Sequence, residues 1–131
     1  MAPKKQQKKK VQYYTIVFEK YLEVLGEVNS FHFYLSDRIK DLTKEIPIDS
    51  WSESPLPDLM DSFVLVDSYR IFLDEKINNP SDEEIKFTTE NNIKDVLFDE
   101  EELKAMQKFY IMMEEKRRIL YEVHNLSTEV N

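Results

Sequence analysis

Residues 14–46 read YTIVFEKYLEVLGEVNSFHFYLSDRIKDLTKEI. Within this stretch Tyr14, Phe18, Tyr21, Leu25, Val28, His32, Leu35, Ile39, Leu42 and Ile46 follow one another at alternating steps of four and three residues. His32 is the only polar member. A seven-residue apolar repeat held over more than four heptads marks a helix packed along a coiled-coil seam. No proline interrupts it, so the spacing predicts one helix over about 12–46. At 1.5 Å per residue such a helix is roughly 50 Å long. A chain of this size folds into a globule only about 30 Å across. The helix is therefore expected to extend as a coiled-coil arm or to find partners along its length.

The stripe changes width. Val17, Val24 and Phe31 broaden its first half on one side, and Leu22 does so on the other. In the second half the equivalent flanks are Arg38, Glu45, Ser36 and Thr43. A broad stripe suits a helix with two or more neighbours, and a narrow one suits a two-helix contact. The division predicts intramolecular packing before His32 and partner pairing after it. The candidate partner-binding residues are His32, Leu35, Ile39, Leu42 and Ile46, together with Trp51 in the loop that follows.

Pro47, Pro55 and Pro57 break the helix. Ser54 before Pro55 suits a helix cap and first turn. A second helix is predicted over 55–78, with Leu56, Leu59, Phe63, Val66, Leu73 and Ile77 at helical spacing and Arg70 in the one gap. Asn78, Asn79 and Pro80 end it. Ser81 and Glu84 have the spacing of a capping box and mark a short helical piece in an otherwise polar stretch. Asp99 and Glu102 form a second such pair, with Phe98 and Leu103 as a hydrophobic staple. They open a third main helix over 99–127, its stripe carried by Met106, Phe109, Met113, Leu120 and Val123, then Val130, with Lys116 interrupting. The fold class read from these patterns is all-α: three main helices in a bundle or hairpin, with an extended coiled-coil arm.

The chain has 131 residues, a length for one domain. A single assembly domain is expected over 11–131, preceded by a disordered tail over 1–10 that contains Lys4, Lys5, Lys8, Lys9 and Lys10 and no acid. With five of the 18 basic residues and none of the 26 acids in that tail, the tail carries +5 and the remainder −13. A body of that sign repels polyanions, so any contact with RNA or DNA falls to the tail. The same lysines suit a nuclear import signal or plain solubility; an acidic membrane surface ranks below these, since no lipidation motif or adjacent basic amphipathic face accompanies the tail, and no membrane partner is expected. No 18-residue apolar run is present, and the start lacks the cleavage site of a signal peptide and the arginines of a mitochondrial presequence.

There is one glycine and no cysteine. Cysteine-based zinc sites, disulfides and thiol catalysis are excluded, and glycine-rich phosphate loops with them. No metal site, cofactor or catalytic residue is expected. His32 has no Glu three residues before it, as a helical di-metal site would require. It reads instead as a polar residue that fixes register or partner choice, as isolated polar groups do in seams. Ser54 and Ser81 fit short phosphorylation motifs, and helix capping accounts for both. The expected role is a non-enzymatic scaffold subunit of a larger complex, pairing with helical subunits of other proteins in preference to its own copies. The tail places it in the nucleus first and the cytoplasm second, in chromatin, transcription or chromosome-segregation machinery. The alternative is a nucleic-acid- or ribosome-associated protein that binds through its tail.

Overall fold

The computed structural model describes residues 12–128. The tail lysines and Val130 lie outside the described residues. Along the chain come strand β1 (Tyr14–Ile16), helix α1 (Phe18–Glu45), a 3₁₀ segment (Ile48–Glu53), helices α2 (Leu56–Asn78) and α3 (Asp82–Asn91), strand β2 (Val96–Phe98) and helix α4 (Glu100–His124). The three long helices are those read from the apolar spacing.

Cross-helix contacts fix the topology. Tyr21 on α1 donates to the Leu73 carbonyl on α2, and His32 meets Asp67. As one number rises the other falls, so α1 and α2 are antiparallel. Lys76 with Glu102, Asp61 with Lys116 and Asp58 with His124 show the same for α2 and α4. α2 is thus the central helix, with α1 and α4 lying on it parallel to each other.

The core follows the seam. Tyr21, Val28, Phe31, Leu35 and Leu42 of α1 are buried with Leu56, Leu59, Val66, Tyr69 and Leu73 of α2 and with Met106, Met113 and Leu120 of α4. Each fully buried aliphatic side chain contributes about 1.5–3 kcal/mol relative to exposure. The expected division at His32 does not appear. Leu35 is fully buried, Leu42 is 9% exposed, and Ile39 and Ile46 pack against the same core. The last turns of α1, expected as a projecting arm, lie against the bundle. α2 starts immediately after the 3₁₀ segment and folds back along α1, so the chain fills its own seam.

Two further differences have local causes. α1 begins at Phe18, and the residues before it form β1, which pairs antiparallel with β2 in the register Tyr14 to Phe98, Thr15 to Leu97 and Ile16 to Val96. Tyr14 matches the seven-residue spacing, but the run Tyr13–Val17 is aromatic and β-branched throughout, which favours extended backbone once a partner strand is available. Val123, expected on the α4 stripe, is 67% exposed, and His124 takes the inward place beside Asp58.

The starts of α3 and α4 follow the capping pairs read from the sequence, whereas α2 has Pro55, not Ser54, as its N-cap and no side-chain cap. Asp99 accepts from Glu102 N while the Glu102 carboxylate accepts from Asp99 N, a complete capping box. Ser81 accepts from Glu84 N at the start of α3. Asn92 and Asn125 end α3 and α4 in the left-handed region, with φ of 51° and 55°. Asparagine tolerates that conformation better than other non-glycine residues, so the chain closes these helices without glycine.

Candidate partner-binding surface

The five candidates singled out by spacing, His32, Leu35, Ile39, Leu42 and Ile46, lie along the α1–α2 seam facing inward, and Trp51 joins them from the 3₁₀ segment. Trp51 packs on the core and its indole N–H donates to the Ile46 carbonyl at 2.8 Å, which closes the bundle from the loop. His32 lies against Phe63 with 4.7 Å between ring centroids and the rings tilted by 34°, and its Nε2 lies 3.0 Å from Asp67. Arg70, the polar gap in the α2 stripe, lies 3.0 Å from the same carboxylate. Burial opposes the charge there, but the Arg70 hydrogen bond outweighs it and, with His32, holds the Asp67 carboxyl below its usual range.

Partner-accessible apolar surface lies elsewhere. Val17, Phe33, Val64, Ile111, Tyr121 and Val123 are each more than half exposed. A shallow, mainly apolar groove of about 420 Å³ lies between α1 and α4. Ile16 and Val24 form one wall, Leu103, Met106, Tyr110 and Ile111 the other, and Tyr69 of α2 the floor. Farther along the same two helices, Arg117 of α4 bonds Glu27 of α1 at 2.7 Å and lies 4.8 Å over the Phe31 ring.

α1 and α4 both rest on α2, and the groove lies between them. Val24 and Phe31 broaden the α1 stripe on this side, and both serve it: Phe31 packs beneath Arg117, and Val24 lines the groove. Tyr110 and Ile111 stand one and two positions beyond the inward Phe109, so the stripe on α4 gave no sign of them. Tyr69 is fully buried and stacks on Phe109 at 5.1 Å, yet its hydroxyl has no hydrogen-bond partner among the described residues. Burial raises its pKa to about 12, helped by the negative fields of Glu27 and Tyr110, so the hydroxyl keeps its proton.

At the other end of α2, the buried Lys76 ammonium lies between Glu84 of α3 at 2.9 Å and Glu102 of α4 at 2.7 Å, and 5.3 Å from the Phe98 ring centre. No sequence pattern pointed to Lys76. The clamp ties α3, β2 and the start of α4 to α2, and both carboxylates are internal partners of the lysine.

Among the described residues no group of three or more histidine and carboxylate side chains is placed to hold a metal ion, and no helix is long and apolar enough to cross a membrane. No family model matches the chain, and no curated protein and no solved structure matches it.

Proposed function

We propose that this chain is a non-enzymatic scaffold subunit of a larger multiprotein complex, acting through helix packing with subunits of other proteins. The observation that carries the reading is the apolar groove on a three-helix frame, with Tyr110 and Ile111 exposed along its α4 side. Exposed apolar surface gathered in a concavity is the usual form of a protein contact site. The lysine-rich start supports a nuclear setting, such as chromatin, transcription or chromosome-segregation machinery.

The test is the native mass of the tagged chain in extracts of cells that make it. Elution at the mass of a complex, with cross-links to other proteins, is the expected result. Elution as a monomer overturns the reading.

The second reading, RNA or DNA contact through the tail, is favoured by the five acid-free lysines alone. Deleting residues 1–10 separates the two readings. Loss of salt-sensitive nucleic-acid binding with the complex intact assigns the tail an auxiliary role, and loss of the complex itself favours the second reading.

A further inference from the structure

We propose that α3 is a flap that opens as a unit while the frame of α1, α2 and α4 stays folded, with the Lys76–Glu84 ion pair as its latch.

α3 is poorly built to stand alone. It has ten residues, fewer than the roughly 12–15 below which an isolated helix is marginal in water. Thr88, Thr89 and Asn91 are poor helix formers. Their side chains bond within α3 itself: Thr88 and Thr89 donate to the Ile85 carbonyl, and Asn91 donates to that of Phe87. These bonds do nothing to tie the helix to the frame.

Packing does not hold it either. No residue of α3 is buried, and none belongs to the core or packs against it. Ile85 lines a small open pocket of about 200 Å³ together with Ile77 of α2 and Val96 and Leu97 of β2. It remains 48% exposed. Segments with few buried apolar contacts open at lower free energy than core helices.

Among the described residues one ion pair and one aromatic contact join α3 to the rest. Glu84 lies 2.9 Å from Lys76, and the Phe87 ring lies 4.7 Å from that of Tyr13. The ion pair is the stronger tie, because its side chains are only 4% and 14% exposed and water screens them little. Its geometry also makes it releasable. Lys76 holds Glu102 of α4 at 2.7 Å as well. When α3 lifts, Glu84 moves into water and Lys76 keeps a carboxylate. The costly outcome, a buried ammonium with no partner, is avoided.

The connections allow the movement. Asn79 and Pro80 link α2 to α3, and Asn92 ends α3 in the left-handed region. β2 stays paired with β1 from Val96 to Phe98, so opening breaks no strand. Once detached, α3 is too short to keep its helix, and its amides exchange with water. The open form uncovers Ile77, Val96 and Leu97.

The experiment is amide hydrogen exchange of the full chain, followed by NMR in low concentrations of urea. The amides of residues 86–91 should exchange as one block, at least about tenfold faster than those of Val66 to Leu73. Their rates should barely respond to urea, since lifting α3 exposes little surface, whereas the α2 rates should climb steeply. Glu84→Gln should speed the α3 block about tenfold, the usual effect of weakening a hydrogen bond to a charged group. Glu83→Gln removes an acid from the same turn that is not bonded to Lys76. It should change the rate only about twofold, as one charge at an exposed helix start does. Exchange of α3 at the rates and urea dependence of α2 overturns the flap. Equal effects of Glu84→Gln and Glu83→Gln overturn the latch.

Discussion

His32 Nε2 lies 3.0 Å from Asp67 Oδ1, and this pair bridges α1 to α2 at the edge of the core. Arg70 reaches the same oxygen at 3.0 Å. The only polar residue of the α1 stripe thus finds its partner inside the chain, which fixes the register of α1 against α2.

This arrangement makes stability depend on pH in a stated direction. Asp67 titrates near 3.8 when unconstrained and lower in the fold, chiefly because of the Arg70 hydrogen bond. The folded state therefore favours the ionised form. The stabilisation is complete above 3.8 and fades as pH falls through the lower folded value. Asp67 is about a third exposed, so water screens the interaction, and about 1 kcal/mol is its ceiling at neutral pH. Asp67→Asn should unfold at lower urea than wild type near neutral pH, and the gap should narrow in acid. A constant gap across the titration contradicts the assignment.

Lys76 gives a larger effect. Its side chain is 4% exposed and holds two carboxylates from other helices. Removing the lysine alone leaves those carboxylates facing each other, so Lys76→Met should cost about 3–5 kcal/mol. Neutralising the whole cluster with Lys76→Met, Glu84→Gln and Glu102→Gln should recover most of that loss, because no charge is then left unpaired. Glu102→Gln also keeps an acceptor for the Asp99 cap. Urea denaturation of the two proteins checks both statements.

The seam was legible at the level of periodicity, but its partner was not. Leu35, Ile39, Leu42 and Ile46 recur at seven-residue spacing whether the facing helix belongs to this chain or another. Which helix fills the seam depends on the turn through the 3₁₀ segment, a tertiary fact. Periodicity also carried Tyr14 into α1, because one residue can satisfy helical spacing while its neighbours favour a strand. The groove was half legible. Val24 broadened the stripe on the correct side, whereas Tyr110 and Ile111 look like ordinary surface residues until α1 is placed beside them. Lys76 was illegible, since its meaning comes from Glu84 and Glu102, 8 and 26 residues away.

Leu35 and Phe33 give a direct comparison on α1. Leu35 is fully buried, while Phe33 is 72% exposed. Leu35→Ala should destabilise the isolated chain by about 2–5 kcal/mol. Phe33→Ala should stay within about 0.5 kcal/mol of wild type. Thermal unfolding of the purified monomer measures both. If the two variants unfold alike, the seam is not filled by α2 in solution.

The only glycine sits where a glycine is a local cost. Gly26 lies in the middle of α1, exposed, and a Cβ added there meets nothing within 4 Å. Alanine at that position should stabilise the chain by about 0.5–1 kcal/mol through helix propensity alone. Asn92 and Asn125 are the opposite case, with φ of 51° and 55° at the helix ends. Valine at either should cost about 1–2 kcal/mol because its Cβ crowds the left-handed backbone, whereas glycine should be neutral or better. Melting curves for Gly26→Ala, Asn92→Gly and Asn92→Val form one series in which the middle of a helix prefers alanine and its end prefers glycine. An Asn92→Val protein as stable as Asn92→Gly is incompatible with the left-handed cap of α3.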